Sequence, residues 1–158
     1  MNLRDYFEAT WNARARLLDA AAGLSPDEWT REFPFSLKSL RNLFGHVIEV
    51  EGSWVGENIL REARAYPDEA EIARRFATVP EARDRSAEIQ AMSRRALAEF
   101  VPGRLHEIRQ GPDLSGAATD FTVEQILTHV FTHELRHQGQ LQAMLRLLGK
   151  PAPNADWI

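Results

Sequence analysis

Thr122-Val-Glu-Gln-Ile126-Leu-Thr-His129-Val130-Phe-Thr-His133-Glu134-Leu-Arg-His137-Gln-Gly-Gln140-Leu141-Gln-Ala-Met144-Leu-Arg-Leu-Leu148-Gly149 decides the fold. Ile126, Val130, His133, His137, Leu141, Met144 and Leu148 step by four, three, four, four, three and four, which puts them on one face of a helix. Thr122 and Gln125 form a capping box at its start, Phe121 can staple onto Ile126, and Gly149 before Pro151 ends it. Two histidines therefore hold core positions in an otherwise aliphatic seam. Residues four apart sit side by side, so His133 and His137 present their imidazoles together.

The same periodicity extends to the rest of the chain. A first helix spans about Leu3 to Ala22 and stops at Gly23. A short one follows at Ser25-Pro-Asp-Glu-Trp29, with a capping box from Ser25 to Glu28 and Pro26 in the first turn. A second long helix is expected from about Leu37 to Glu62, broken at Tyr66-Pro67, with Leu40, Leu43, His46, Val47, Val50 and Trp54 inward. A third runs from about Pro80 to Phe100 with Ile89, Met92, Ala96 and Phe100 inward, ending at Pro102-Gly103. Arg104 to Asp120 reads as a loop with a short extended piece. Four long amphipathic helices make an all-α four-helix bundle, a fold that places metal sites between facing helices.

A chain of 158 residues suits one domain over residues 1–158. The net charge of −4 argues against a nucleic-acid partner. No segment is long and apolar enough for a signal peptide or a membrane span, so a cytoplasmic protein is the default expectation. The absence of cysteine restricts any metal site to nitrogen and oxygen ligands.

His46 lies on the inner stripe of the second long helix, where a histidine is otherwise hard to explain. Buried imidazoles each need a partner, and two held close repel when protonated. A cation satisfies all three, so His46, His133 and His137 read as ligands of one divalent metal. His129 lies about 60° to the flank of that stripe. It is a candidate pocket residue, metal-site support or substrate contact. Trp54, one turn beyond Ser53, reads as an apolar pocket wall. Glu134 lies about 80° off the ligand direction, and Glu49 and Ser53 lie within about 60° of His46. Glu134 and Glu49 are candidate catalytic proton carriers, against a surface charge for the first and a solvated edge for the second. His106 falls in the loop.

His133-Glu-Leu-Arg-His137 matches the zinc-protease motif H-E-x-x-H, in which the glutamate is the base. That chemistry needs a third ligand downstream and a sheet edge to hold peptide. Only 21 residues follow His137, and Asp156 is the one acid near the end. Glu134-Leu-Arg-His137 also matches the Glu-x-x-His element of di-iron bundles, but no second copy exists.

Ser39-Leu-Arg-Asn-Leu-Phe-Gly-His46-Val-Ile-Glu49, then Ile126 to Gln140 with its His-x3-His and Gln-Gly-Gln, then Leu148-Gly-Lys-Pro-Ala-Pro-Asn-Ala-Asp156, resembles the DinB/YfiT-like family. The resemblance covers nearly the whole chain. It implies a four-helix bundle of up-down-down-up topology, with zinc or nickel held by the residues matching His46, His133 and His137. Histidine recurs in the family at the position of His129. Some relatives are transferases and isomerases that use a low-molecular-weight thiol such as bacillithiol or mycothiol. The resemblance therefore implies a thiol-dependent S-transferase. A metal-activated hydrolase acting on a small electrophile is chemically as reasonable. The competing reading is a non-catalytic metal-binding or metal-stabilised interaction bundle. The expected partner is a small-molecule substrate, and a second copy of the chain is a candidate for a homodimer.

Overall fold

The computed structural model describes residues 2–112 and 115–154. Asp156, the last residue of the resemblance, lies outside them. Four long helices carry the core: α1 (Leu3–Ala21), α3 (Leu40–Ser53), α5 (Val79–Phe100) and α6 (Val123–Leu147). Helix α1 packs against α5 and α6, and α3 packs against the same two from the other side. Two short helices, α2 (Pro26–Thr30) and α4 (Glu69–Arg75), lie against α3. Strands β1 (Ile108–Pro112) and β2 (Ala118–Thr122) form an antiparallel hairpin that leads into α6. The protein is mostly helical rather than all-helical, and the loop expected at Arg104 to Asp120 holds this hairpin. Among the described residues no helix is long and apolar enough to cross a membrane.

The helix ends follow their capping chemistry. Capping boxes at Asn2, Ser25, Thr78 and Thr122 start α1, α2, α5 and α6, and Ser39 caps α3. Each supplies an acceptor to an N–H that the first turn leaves unpaired. Two expectations for the second long helix are corrected. It begins at Leu40 rather than Leu37, because Ser36 and Lys38 adopt left-handed backbone conformations before the Ser39 cap. It also does not continue unchanged to Glu62. At Trp54–Ile59 it widens into a π-helical segment, then leaves helical geometry. Helix α4 follows the break at Tyr66-Pro67 and is not among the expected elements. Its signals were there: Asp68 accepts from the Glu71 N–H, acids fill the first turn and arginines the last.

Helix α4 packs tightly on α3. A Cβ at Gly45 would come within 2.7 Å of Ile72 Cγ2, so only glycine lets the two approach this closely. Gly45 precedes His46, and this contact brings the chain before α4 across the His46 ring.

The four long helices share one buried polar network. Arg14 of α1 is fully buried. Its guanidinium donates to Glu51 Oε2 of α3 at 2.7 Å and to Glu134 Oε2 of α6 at 3.1 Å. Trp11 Nε1 and Ser93 Oγ of α5 donate to Glu51 Oε1 at 3.0 and 2.6 Å. Gln138 Nε2 donates to Glu134 Oε1 at 2.9 Å and to the Thr10 carbonyl at 2.8 Å. Two carboxylates share one guanidinium away from water. Burial pushes the Glu134 carboxyl up to about 7 against the pull of Arg14, with the Glu51 charge adding to the rise. Breaking a buried ion pair from one side leaves uncompensated charge. Arg14→Met is therefore expected to cost roughly 3–5 kcal/mol in urea unfolding. A loss below about 1 kcal/mol, the scale of a solvated surface pair, would show that water reaches the network.

Candidate metal centre

Helix α6 carries two parallel stripes about 100° apart, because neighbouring residues on a helix are separated by that rotation. Glu134 and Gln138 occupy one and face α1. His133 and His137 occupy the other and face α3. His46 of α3 meets them. The three rings expected to converge do so, each offering a nitrogen within 4.8 Å of the other two. The ring centroids lie 4.8 Å apart for His46 and His133, 5.0 Å for His46 and His137, and 4.3 Å for His133 and His137. His46 Nε2 is 3.0 Å from His133 Nε2. Three nitrogens tetrahedrally placed about 2.0–2.1 Å from one zinc ion stand about 3.3 Å apart, within this spread.

The outer nitrogens orient the rings. His137 Nδ1 lies 2.6 Å from Gln140 Oε1, which also accepts from Ser36 Oγ at 2.9 Å. An amide oxygen can only accept, so Nδ1 carries the proton and the Nε2 lone pair of His137 points inward. His46 Nδ1 lies 2.9 Å from the Tyr66 hydroxyl. With that nitrogen donating, His46 Nε2 is likewise a free lone pair. Such outer partners fix tautomer and ring direction in metal sites. Burial pushes the Tyr66 phenol up, with the Glu49 charge adding to it, so it stays protonated.

The rings are neutral at physiological pH. Burial lowers His46 to about 4, reinforced by His137 and Arg136. Burial lowers His133 to about 3, reinforced first by His137 and His46. Burial also lowers His137, with Gln140 opposing and Arg136 adding to the shift. Neutral imidazoles with aligned lone pairs are the donor form a metal requires. The residues present therefore fit a divalent ion with three nitrogen donors.

The other candidates fall elsewhere. His129 stands exposed on α6, its ring 4.9 Å from Trp54 and 6.0 Å from His133. Trp54 also packs edge-on against Phe121 at 5.8 Å. These two residues form one flank of the site. Glu134 is neither a surface charge nor a pocket acid, since its carboxylate is bound to Arg14 and Gln138. Glu49 is not on a solvated edge. It is buried and held by Arg85 through two hydrogen bonds of 2.7 and 2.9 Å and by Arg75 at 3.1 Å. Neither carboxylate belongs to the converging cluster. His106 is exposed. Tyr66 and Ser36 were missed from sequence. Tyr66 read only as a helix breaker before Pro67, and neither residue lies on a periodic stripe that would have pointed inward.

Two outcomes follow from this geometry. Zinc titrated at pH 7 should bind in one equivalent and be lost in His133→Ala and His137→Ala. Gln140→Ala should weaken it about 10- to 100-fold while retaining one site. The metal-free protein should also be acid-sensitive. Unfolded histidines protonate near 6.5, whereas folded His46 and His133 do so near 4 and 3. The unfolded chain thus binds more protons between those values, and stability falls as pH drops below about 6.5. Melting temperatures from pH 7 to 5 should decline, and His133→Ala should flatten the slope. Glu134, raised to about 7, works in the opposite direction over this range, so the comparison with the variant is decisive: a wild-type slope no steeper than that of His133→Ala would contradict the neutral-ring assignment.

The family model of the DinB family matches residues 1–158. Among solved structures, the crystal structure of a DinB-like protein from Bacillus cereus superposes with a TM-score of 0.69 at 18% identity. The alignment covers 96% of this chain and 94% of that one, a likeness of fold. No match is found among curated proteins. A family match along the whole chain and a shared fold agree with the residues that converge here, and the chain belongs to the DinB family.

Proposed function

We propose that this protein is a metal-dependent enzyme that holds one zinc or nickel ion through His46, His133 and His137. It acts on a small electrophile, as a thiol-dependent S-transferase or as a hydrolase. The observation that carries the reading is the convergence of three imidazoles, two of which, His137 and His46, are oriented by Gln140 and Tyr66. When bound, an ion with three protein ligands and open positions supplies Lewis acidity and lowers the pKa of water or a thiol toward neutrality.

The chain's own residues do the rest. Tyr66 and Gln140 orient the ligand rings. Trp54 and Phe121 give the flank an apolar surface. His129 is the proton carrier with the freest access. Burial lowers its proton affinity, with Arg136 adding to the effect, so it is a neutral base at pH 7. Glu134 and Glu49, already engaged by arginines, serve the scaffold in this reading. We read residues 1–158 as one domain whose long helices run up-down-down-up. Cross-contacts support that order. Arg4, Glu8 and Asp19 of α1 meet Leu97, Arg94 and Arg83 of α5, in reverse sequence order. Between α3 with its π-helical extension and α6, His46 meets His133 and Trp54 meets His129, again in reverse order, whereas Glu49 and Glu51 of α3 meet Arg85 and Ser93 of α5 in the same order. The partner is a small molecule in the cytoplasm, and the net charge of −4 speaks against nucleic acid.

Zinc- or nickel-loaded protein should turn over at least one pairing in a panel of low-molecular-weight thiols with electrophiles, or of simple esters. Chelation should abolish the turnover, metal should restore it, and His133→Ala should lack it. Cobalt-substituted protein should change its visible spectrum when a thiol is added. A silent panel together with an unresponsive cobalt spectrum would sink the enzyme reading in favour of a non-catalytic metal-binding module.

A further inference from the structure

Between the α2–α3 loop and the segment preceding α4 lies a cavity of about 340 Å³ that opens onto His46 and Tyr66. This is within the usual span of small-molecule sites, roughly 300–1,000 Å³. Neither His129 nor Trp54 lines it, so it lies apart from the flank formed by those two residues. Leu37 and Ile72 supply apolar wall. Leu37 and Tyr66 are also among the few large hydrophobic side chains left exposed in the described residues. Exposed apolar surface beside a polar cluster is what a binding site offers.

Among the described lining residues Lys38 is the cation. Lys150 is paired with Glu28 at 2.9 Å, whereas Lys38 forms no ion pair among the described residues. Asn42 lies beside it, and its Oδ1 accepts from Arg41 Nε at 3.2 Å, which leaves the amide N–H groups to donate. The loop holding Lys38 is fixed in an unusual shape. Ser36 and Lys38 have φ of 54° and 69°, the left-handed region that side chains with a Cβ rarely adopt. The Phe33 N–H donates to the Lys38 carbonyl at 2.6 Å, and the Lys38 N–H to the Phe35 carbonyl at 3.2 Å. Ser36 Oγ donates to the same Gln140 oxygen that orients His137. Such conformations persist only where the surroundings hold them, and they gather at ligand sites. The loop is therefore tied to a ring of the histidine triad while it presents Lys38 to the cavity.

Glu69 on the lining carries the opposite charge and would repel a second anionic group. Among the described residues no arginine lines the cavity, so the planar fork that suits phosphate is missing there. One lysine and one amide suit a single carboxylate.

We propose that this cavity is the substrate pocket of the histidine site and takes a small, largely apolar molecule bearing one carboxylate. Lys38 is its counter-charge, Asn42 its hydrogen-bond donor, and the reactive end points to His46. Naming the occupant as substrate rests on the enzyme reading above; the carboxylate pocket itself does not.

Benzoate, benzamide and phenyl phosphate titrated into isotope-labelled protein, metal-free and zinc-loaded, test it by amide shifts. Benzoate should shift Lys38, Asn42 and Ile72 in both forms. Lys38→Met should weaken benzoate roughly tenfold, the scale of one charge-assisted hydrogen bond at a partly open site, and Lys38→Arg should restore most of it. Lys38→Glu should weaken it further, while benzamide should bind weakly and ignore Lys38→Met. Zinc stoichiometry should be unchanged in every Lys38 variant, whose spectra also report folding. Unchanged benzoate affinity in Lys38→Met, or shifts confined to the His129 flank, would overturn the proposal. So would benzoate binding that needs zinc and ignores Lys38, since the carboxylate would then sit on the ion. Phenyl phosphate binding tighter than benzoate would overturn the ligand class. Lys38-dependent benzoate binding in a protein that takes no zinc would uphold the pocket and sink the metalloenzyme reading alone.

Discussion

The guanidinium of Arg14 is the point on which this structure turns. It sits fully buried among four helices, bound to Glu51 of α3 and Glu134 of α6, while Trp11 and Ser93 complete the Glu51 carboxylate. An apolar seam tolerates small rotations of one helix against another. A buried charge does not, because losing its partner strands it without water. Glu134 and Gln138 must therefore face α1. The helix repeat then turns His133 and His137, one position earlier, toward α3 and His46. The polar network thus sets the rotation of α6 that the histidine cluster needs.

The same constraint gives the His-Glu-x-x-His pattern its meaning here. In a zinc protease the glutamate of that motif acts on water beside the ion. In this chain the Glu134 carboxylate lies 3.1 Å from Arg14 and belongs to the helix packing. A matching string of residues is not a matching site, since a side chain's role is decided by what lies opposite it. Glu49 repeats the point: three residues beyond His46, it is saturated by Arg85 and Arg75.

Around the rings the protein favours neutrality. Burial and mutual repulsion lower the proton affinity of His46 and His133, and Arg136 adds to this at all four histidines of the region. Neutral imidazoles, aimed by Gln140 and Tyr66, are ready to donate without first releasing a proton. The α2–α3 loop extends this order outward, since Ser36 links the backbone beside Lys38 to the residue that orients His137.

The long helices and the convergence of the three histidines are legible in the residue order alone. Apolar spacing, capping boxes and histidines on inner stripes are local, periodic signals, and one helical repeat converts them into a shared face. Residue order did not determine the ends of the second long helix. Left-handed residues at Ser36 and Lys38 and the π-helical segment at Trp54–Ile59 interrupt the repeat that a periodic reading extrapolates. It also left Glu134 and Glu49 open, because a carboxylate's partners came from α1, α4 and α5, far away in the chain. Tyr66, Ser36 and Lys38 had no legible role at all. Each acts from an irregular segment whose path is set by tertiary contacts, such as Ile72 against Gly45, and only the folded chain brings them to the histidines.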